Sequence, residues 1–347
     1  MTQRILGIET SCDETAAAVV ADGRVVLSNV VHSQIHLHER WRGVVPEVAS
    51  RSHTMRILPI LQQALDDAGV KPHELDAVAV THRPGMIGCL LVGMAAAKAL
   101  ALRFSLPLLA VDHVQAHVHT ALLAEPQLQF PALCLVASGG HTAMYLLRAP
   151  LDAVRLGTTR DDAAGEALDK GAALLGLPYP GGPAIERAAV GGNRRAATLP
   201  RSMLSADSLD FSFSGLKTSL LYLLRGPGAV APPRALDEPE LRDLAASYQE
   251  AVVDALLQKL TRAADRHAPK SLCIGGGVAR NQRLRERLQQ EPRLRALQLV
   301  LPEMNLCSDN GAMIALMGHL QLQQGMLADM TLEPVATPQA GGKAKPR

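Results

Sequence analysis

His113 and His117 stand four residues apart in "DHVQAHVHTAL", residues 112–122. A helix over this stretch puts both imidazoles on one face, within reach of a single ion. A zinc-protease helix of the His-Glu-x-x-His type needs a glutamate after its first histidine to activate water, and Val114 occupies that position here. Two nitrogens do not complete a metal site. Asp309, in "LCSDNGAMIALMG", is the third donor best placed by the repeated layout described below. Each residue also has an ordinary role: imidazoles that fill a core in a chain of 12 histidines, and an aspartate beside Ser308 that caps the following helix. Asp112 reads as the N-cap of the histidine helix and Val114, Val118 and Leu122 as its buried stripe, while His119, about 200° round from His117, points elsewhere.

Four other stretches carry chemistry-bearing residues. "SGGHT", Ser138 to Thr142, lets main-chain amides approach a ligand, or is a plain glycine turn. Gly275 to Gly277, with Asn281 in the next helical turn, can hold a nucleotide over a helix start or simply join strand to helix. Asp162, Glu166 and Asp169 in "DDAAGEALDKGAALLG" share a helix face, read either as a solvated stripe pairing with Lys170 or, beside the fixed loop "GLPYPGGPAIE", as a site for a hydroxyl-rich ligand such as ribose. "LDFSFSGLKTSLL" packs two of the four phenylalanines near Ser214, Gly215, Lys217 and Thr218, as a substrate lid or an apolar anchor.

The elements that must position these residues come in a repeated order. Residues 4–33 contain three β-rich runs, split by the polar turn Ser11 to Glu14 and the hairpin signal Asp22-Gly23. A helix from Glu47 to Ala68, the strand "LDAVAV", the small-residue helix "GCLLVGMAAAKALAL", the strand "PLLAVDH" and the histidine helix follow. From "PALCLVASGG" onward the order recurs, ending in "SLCIGGG", "NQRLRERLQQ", "LQLVLP" and "GAMIALMGHLQLQ". Two β-β-β-α-β-α-β-α copies predict a duplicated α/β fold with two facing domains and a ligand cleft. The expected division is an N-terminal domain 1–125 completed by a helix 310–326, a second domain 130–309 with an insertion 161–233, and a disordered tail 330–347.

Composition narrows the class. At 347 residues and 48% hydrophobic content the chain can fill two cores, and a net charge of +2 neither demands nor excludes a nucleic acid. Cys12, Cys89, Cys134, Cys273 and Cys307 show no Cys-x-x-Cys spacing, so they read as reduced thiols. Glu9 interrupts any apolar signal core, and the longest uncharged apolar run, Met86 to Ala97, is too short to cross a bilayer. The expectation is a cytoplasmic protein without a membrane segment.

Together "GIETSCDETAAAVV", "GVVPEVASRSH", "DHVQAHVHTALL", "SGGHT", "DDAAGEALDKGAALLGLPYPGGP", "FSFSGLKT" and "GGVARNQRLR" resemble the tRNA threonylcarbamoyltransferase family, once misnamed glycoproteases. The resemblance spans about residues 4 to 320, is most specific over Asp161 to Pro183, and in "FSFSGLKT" matches the bacterial and mitochondrial branch. It implies the actin, Hsp70 and sugar-kinase fold. It further implies transfer of threonylcarbamoyl from threonylcarbamoyl-adenylate to the N6 amine of the adenosine beside the anticodon, in tRNAs reading ANN codons, with AMP leaving. On the matching positions, His113, His117 and Asp309 would hold one divalent metal, iron with zinc as the alternative; Val136, Ala137, Ser138, Gly139, Gly140, Asp169, Gly182 and Asn281 would bind the adenylate. Asp112 stands where many relatives carry another histidine, and at Ala137 only a backbone role carries over.

Such a reaction needs no covalent nucleophile, because the mixed anhydride is already activated; Asp13 and Glu14 are candidates for moving the proton, and no catalytic base is assigned. The rivals are an ATP-dependent phosphotransferase of the same fold, disfavoured by Glu9 where such kinases resemble one another in carrying Asp, and a non-enzymatic actin-like scaffold. The resemblance implies tRNA, a separate adenylate synthase, an inactive paralogue of the same fold and a small P-loop ATPase as partners. Arg40, Arg42, Arg51 and Arg56, and later Arg280, Arg283, Arg285 and Arg287, are candidates for phosphate contacts.

Overall fold

Strands predicted from period-two patterning pair in the computed structural model, which describes residues 2–41, 43–201, 205, 207–226, 228 and 235–336. Arg42, the end of the expected insertion and the tail beyond residue 336 lie outside the described residues. The chain divides into two units: the first takes Met1–Leu123 and the segment from Asp309 onward, the second Ala124–Ser308.

The first unit runs β1 (Arg4–Glu9), β2 (Glu14–Ala21), β3 (Val25–Ser33), α1 (Ile35–His38), α2 (Pro46–Ala68), β4 (Ala77–Arg83), α3 (Ile87–Phe104), β5 (Leu108–Asp112) and α4 (His113–His119). The short α5 (Ala121–Ala124) leads out of it. The sheet order is β3-β2-β1-β4-β5, with β1, β2 and β3 antiparallel and β4 and β5 parallel to β1. The β2–β3 hairpin turns at Asp22 and Gly23, both left-handed at φ 51 and 62, as the Asp-Gly pair predicts. Alternation sends Leu6, Ile8, Val78 and Val80 to one face, against Ile57 and Leu61 of α2 and Met94 and Ala97 of α3.

Within the second unit come β6 (Ala132–Ala137), β7 (Thr142–Ala149), β8 (Asp152–Thr158), α6 (Ala164–Leu174), α7 (Gly181–Ala188) and α8 (Ser214–Arg225). After them lie α9 (Glu238–His267), β9 (Ser271–Gly275), α10 (Gln282–Gln290), β10 (Gln298–Val300) and α11 (Met304–Cys307). Its sheet order, β10-β9-β6-β7-β8, is that of the first sheet read in reverse. Leu133, Leu135, Leu272 and Ile274 face α9, where Tyr248 is fully buried and donates from its hydroxyl to Ala167 O at 2.8 Å.

The chain then returns to the first unit as α12 (Gly311–Gln323), which packs on β1, β2 and β4. It lies on the face opposite α2 and α3: a methyl at Gly7 would strike Gly311 O, and one at Gly318 would meet Ala79 at 2.5 Å. Glycine at 7 and 311 therefore sets how near α12 lies to the sheet, and with it where Asp309 stands. Beyond α12, Lys98 Nζ donates to Leu332 O at 2.6 Å and Val335 N to His82 O at 2.8 Å.

Three local expectations need correction. Helix α4 buries His113, Ala116, His117, Val118 and His119, whereas Val114 and Leu122 are only half-buried, so the histidine side faces inward. Asp162 precedes α6 instead of lying on it, because the helix starts at Ala164, whose N–H donates to Thr142 Oγ1. The uncharged run Met86 to Ala97, expected to be too short to cross a bilayer, is part of a longer helix: α3 runs through Lys98 to Phe104, and its 18 residues with mean hydropathy 1.7 are long and apolar enough to cross a membrane. In this unit Cys89, Leu90, Gly93, Met94, Ala97 and Ala101 of α3 are buried.

Candidate functional site

Asp112 Oδ1 caps α4 by accepting from Gln115 N at 3.1 Å, while its Oδ2 accepts from Arg83 Nε at 3.1 Å. That cap starts the helix at His113, and the i, i+4 spacing brings the rings of His113 and His117 to 4.7 Å between centroids, edge to face. Asp309, just before α12, reaches them from nearly 200 residues later: Oδ1 lies 2.9 Å from His117 Nε2 and 3.6 Å from His113 Nε2. One donor atom from each residue falls within 4.8 Å of the others. Ligands sharing one ion stand roughly 3–4 Å apart, so the three fit a metal with small adjustment. A two-nitrogen, one-carboxylate donor set suits a borderline divalent ion such as iron or zinc.

Behind His113 sits a partner that the sequence offered only as an argument against a signal segment and against a kinase. Glu9 ends β1 fully buried, and its Oε2 accepts from His113 Nδ1 at 2.9 Å and from Thr81 Oγ1 at 2.6 Å; Oε1 accepts from Ser11 N. A carboxylate on Nδ1 fixes the ring orientation and leaves Nε2 aimed at Asp309. The signal was present: an acid closing an otherwise apolar central strand, beside the strand that supplies Thr81. Burial alone would push the Glu9 carboxyl up, but the adjoining His113 overcomes it and holds Glu9 below its ordinary value. Burial likewise disfavours the His113 cation, yet Asp309 and Glu9 together push it up to about 9. His117 has no such brace: among the described residues its buried Nδ1 has no hydrogen-bond partner.

The β1–β2 turn supplies the rest of this wall. Ser11 Oγ lies 3.1 Å from His113 Nδ1, and Cys12 O is 2.9 Å from Nε2 of the buried His53. Burial, then Asp13 and Asp309, push the Cys12 thiol well up, which removes a thiolate nucleophile. Burial and Asp13 also push the Glu14 carboxyl well up, while Ser33 Oγ donates to its Oε1 at 3.2 Å.

The second unit places the other expected residues around the equivalent turn. Val136 and Ala137 are buried at the end of β6, and Ser138, Gly139 and Gly140 form the turn, closed by Ser138 N donating to His141 O at 2.7 Å. A methyl at Gly139 or Gly140 would meet nothing within 4 Å. The α6 start abuts this turn, with Gly165 N donating to Ser138 O at 3.1 Å, and Gly276, at φ 84, sits where a side chain would strike Ala137 O. Asp169 Oδ1 accepts from Gly181 N at 2.6 Å, which fixes the α6–α7 loop beside Gly182. Asn281 caps α10 through Leu284 N at 3.0 Å and donates to Gln249 Oε1 at 3.0 Å.

Several candidates take their ordinary roles. Asp162 and Glu166 pair with Lys170 at 2.7 and 2.8 Å. Phe211 and Phe213 are fully buried and stacked at 6.2 Å, which makes that segment an apolar anchor. Arg283 and Arg287 clasp Glu250, and Arg285 bonds Ala279 O and Pro302 O, so these three are internal ties.

The chain matches a family model described as "tRNA N6-adenosine threonylcarbamoyltransferase" over residues 25–316. A protein of Anaeromyxobacter dehalogenans with that description is 51% identical over 334 residues, covering 95% of this chain and 98% of the relative. Among solved structures, full-length HypF in its phosphate- and nucleotide-bound form is similar at TM-score 0.60 and 13% identity, over 92% of this chain and 55% of HypF. Component A of the Acidaminococcus fermentans (R)-2-hydroxyglutaryl-CoA dehydratase is similar at TM-score 0.53 and 13% identity, over 92% of this chain and 99% of that one. At such identities these two speak for the fold alone, the duplicated α/β fold of actin, Hsp70 and the sugar kinases.

Proposed function

The chain belongs to the tRNA N6-adenosine threonylcarbamoyltransferase family, and from that premise we propose how its residues serve the transfer. The activity is threonylcarbamoyl transfer to adenosine 37 of tRNA. Threonylcarbamoyl-adenylate is the donor, tRNAs reading ANN codons are the acceptors, and AMP leaves. A C–N bond forms between the carbamoyl carbon and N6, the carbon–oxygen bond to AMP breaks, and N6 gives up a proton.

The observation that carries the site assignment is the convergence of His113 Nε2, His117 Nε2 and Asp309 Oδ1 in a chain of this family. These three hold one divalent ion, iron on the family resemblance. Once bound, such an ion supplies Lewis acidity toward the threonylcarbamoyl carbonyl. Glu9 holds His113 to one orientation through Nδ1. Ser138, Gly139 and Gly140 present main-chain amides to the adenylate phosphate at the end of β6, with Val136 and Ala137 beneath them. Asp169 and Gly182 border the nucleotide; Asn281 meets the ribose or base by exchanging its bond to Gln249. No covalent intermediate is needed, since the mixed anhydride is already activated and positioning it against N6 supplies much of the rate.

Alongside tRNA in the cytoplasm, the chain works with a separate synthase that makes the adenylate, an inactive paralogue of the same fold (TsaB-like) and a small P-loop ATPase (TsaE-like). The test supplies threonylcarbamoyl-adenylate, an ANN-reading tRNA and those proteins to wild type and to the His113→Ala/His117→Ala variant, and measures AMP and modified nucleoside. Wild type yields both in equal amounts, and the double variant loses metal and turnover together. Full-speed modification by the metal-free double variant would end the metal assignment.

A further inference from the structure

Of the eight arginines picked out as phosphate candidates, Arg283, Arg285 and Arg287 are spent on internal ties. Arg40, Arg51 and Arg56 are exposed, and among the described residues none of them forms an ion pair with a carboxylate. Arg40 instead lies over the chain's single tryptophan, its guanidinium carbon 3.7 Å from the Trp41 ring centroid, while Trp41 is 42% exposed. Both belong to the 3-10 helical turn Glu39–Trp41 that follows α1, and Val45 N donates to His38 Nδ1 at 3.3 Å.

That segment is anchored to the wall of the metal centre within the same unit. Gln34 N donates to Asp13 O at 3.0 Å, and the Gln34 amide lies 3.4 Å from His53 Nδ1, whose other nitrogen meets Cys12 O. Ser11 of the same turn touches His113. A short run of contacts thus joins the exposed stack to the proposed metal ligands. The charged groups along this stretch of chain are mixed but mainly basic: exposed Glu39 and Glu47 against exposed Arg40, Arg51, Arg56 and His36 and half-buried His32. Burial first, then Arg56 and His36, hold His32 below its ordinary value, which places those groups within electrostatic reach of one another.

We infer that the Arg40–Trp41 stack is a platform on which an unpaired base of the tRNA anticodon loop stacks while adenosine 37 is presented to the metal centre. An indole and a guanidinium plane each accept any base face, and the neighbouring arginines receive phosphates, the combination that recognises single-stranded RNA loops. A protein surface would instead bury the indole in an apolar patch, and here its ring meets the Arg40 guanidinium and the His38 imidazole.

The inference rests on tRNA being the substrate. Because Trp41 is the only tryptophan, its emission reports the patch directly in the full-length chain. An anticodon stem-loop should quench it, Trp41→Ala should raise the KM for tRNA by about 5- to 100-fold at little change in kcat, and Trp41→Phe should restore most of the loss. Arg40→Ala should lower the slope of log affinity against log salt by about one unit. Unfolding curves matching wild type show that the variants fold. The platform is overturned if tRNA is modified normally by Trp41→Ala, or if Trp41 emission responds to an added protein component and not to the stem-loop. If wild type modifies no tRNA at all, the substrate reading itself has failed, a separately visible outcome.

Discussion

The two units repeat one strand order and differ at the turn after their first strand. In the first unit that turn, between β1 and β2, is walled by side chains: Glu9, Thr10, Ser11 and Asp13 are all buried polar residues, and Glu9 and Ser11 contact His113. In the second, between β6 and β7, it is two exposed glycines closed by backbone bonds. The same geometry thus braces His113 with buried side chains in one copy and leaves two exposed glycines in the other. Duplication supplied two equivalent positions; side-chain chemistry made them different.

If that division holds, the two halves of the chemistry can be separated by mutation. The largest effect is expected from Asp309→Ala, which removes one of three donors: elemental analysis should find little metal, and transfer should fall at least about 100-fold. Asp169→Ala should keep its metal while weakening adenylate binding, since its carboxylate fixes the α6–α7 loop through Gly181 N. Metal loss in both variants would break the comparison.

A finer cut falls behind the ligand. Glu9→Gln keeps an acceptor for His113 Nδ1 but loses the charge, and should weaken metal affinity about 10-fold in chelator competition. Glu9→Ala takes the acceptor from the Thr81 hydroxyl and leaves the Nδ1 proton only the longer contact to Ser11 Oγ at 3.1 Å, and should approach 100-fold with some loss of stability. Equal affinities in all three proteins would reduce Glu9 to core polarity.

Much of this was legible in the sequence, for identifiable reasons. Element order followed from hydrophobic period and turn residues, as Asp22-Gly23 and the long helix α9 show, because local sterics and amphipathicity act over a few residues. The His113, His117 pair was visible by spacing, and Asp309 by its place in the repeat. The inward side of α4 was centred on Val114, Val118 and Leu122, one stripe away from His113 and His117; only contact with Glu9 and Asp309, 104 and 192 positions away, makes burial of the two rings favourable. The fate of Arg283 and Arg287 was equally hidden, since Glu250 meets them only once α9 and α10 pack.

That ion cluster gives the second unit a pH signature of its own. Burial opposes the charge on Glu250, but Arg283 and Arg287 overcome it and hold its carboxyl below the ordinary 4.5. The folded value is depressed, so the contribution is complete above the unfolded value and is lost as pH falls through the folded one; the arginines stay charged throughout. Glu250→Gln should destabilise by about 2 kcal/mol at neutral pH and by progressively less in acid, measured as unfolding midpoints between about pH 3 and 7. In the first unit, Gly7→Ala should cost about 1–3 kcal/mol at any of these pH values, since the added methyl meets Gly311 O.

The smallest stability effect is expected at Gly139, where the same glycine-to-alanine change meets nothing within 4 Å. Without a clash or a left-handed φ to lose, the midpoint should stay within about 0.5 kcal/mol of wild type. The functional effect should run the other way: a methyl on the exposed turn stands where a phosphate would approach the amides, so the KM for threonylcarbamoyl-adenylate should rise several-fold while metal content and tRNA affinity hold. Gly7→Ala, by moving α12, should instead lower metal content along with stability. Should Gly139→Ala leave the adenylate KM untouched, the amides of this turn do not meet the phosphate, and the contrast between the two turns would be one of packing alone.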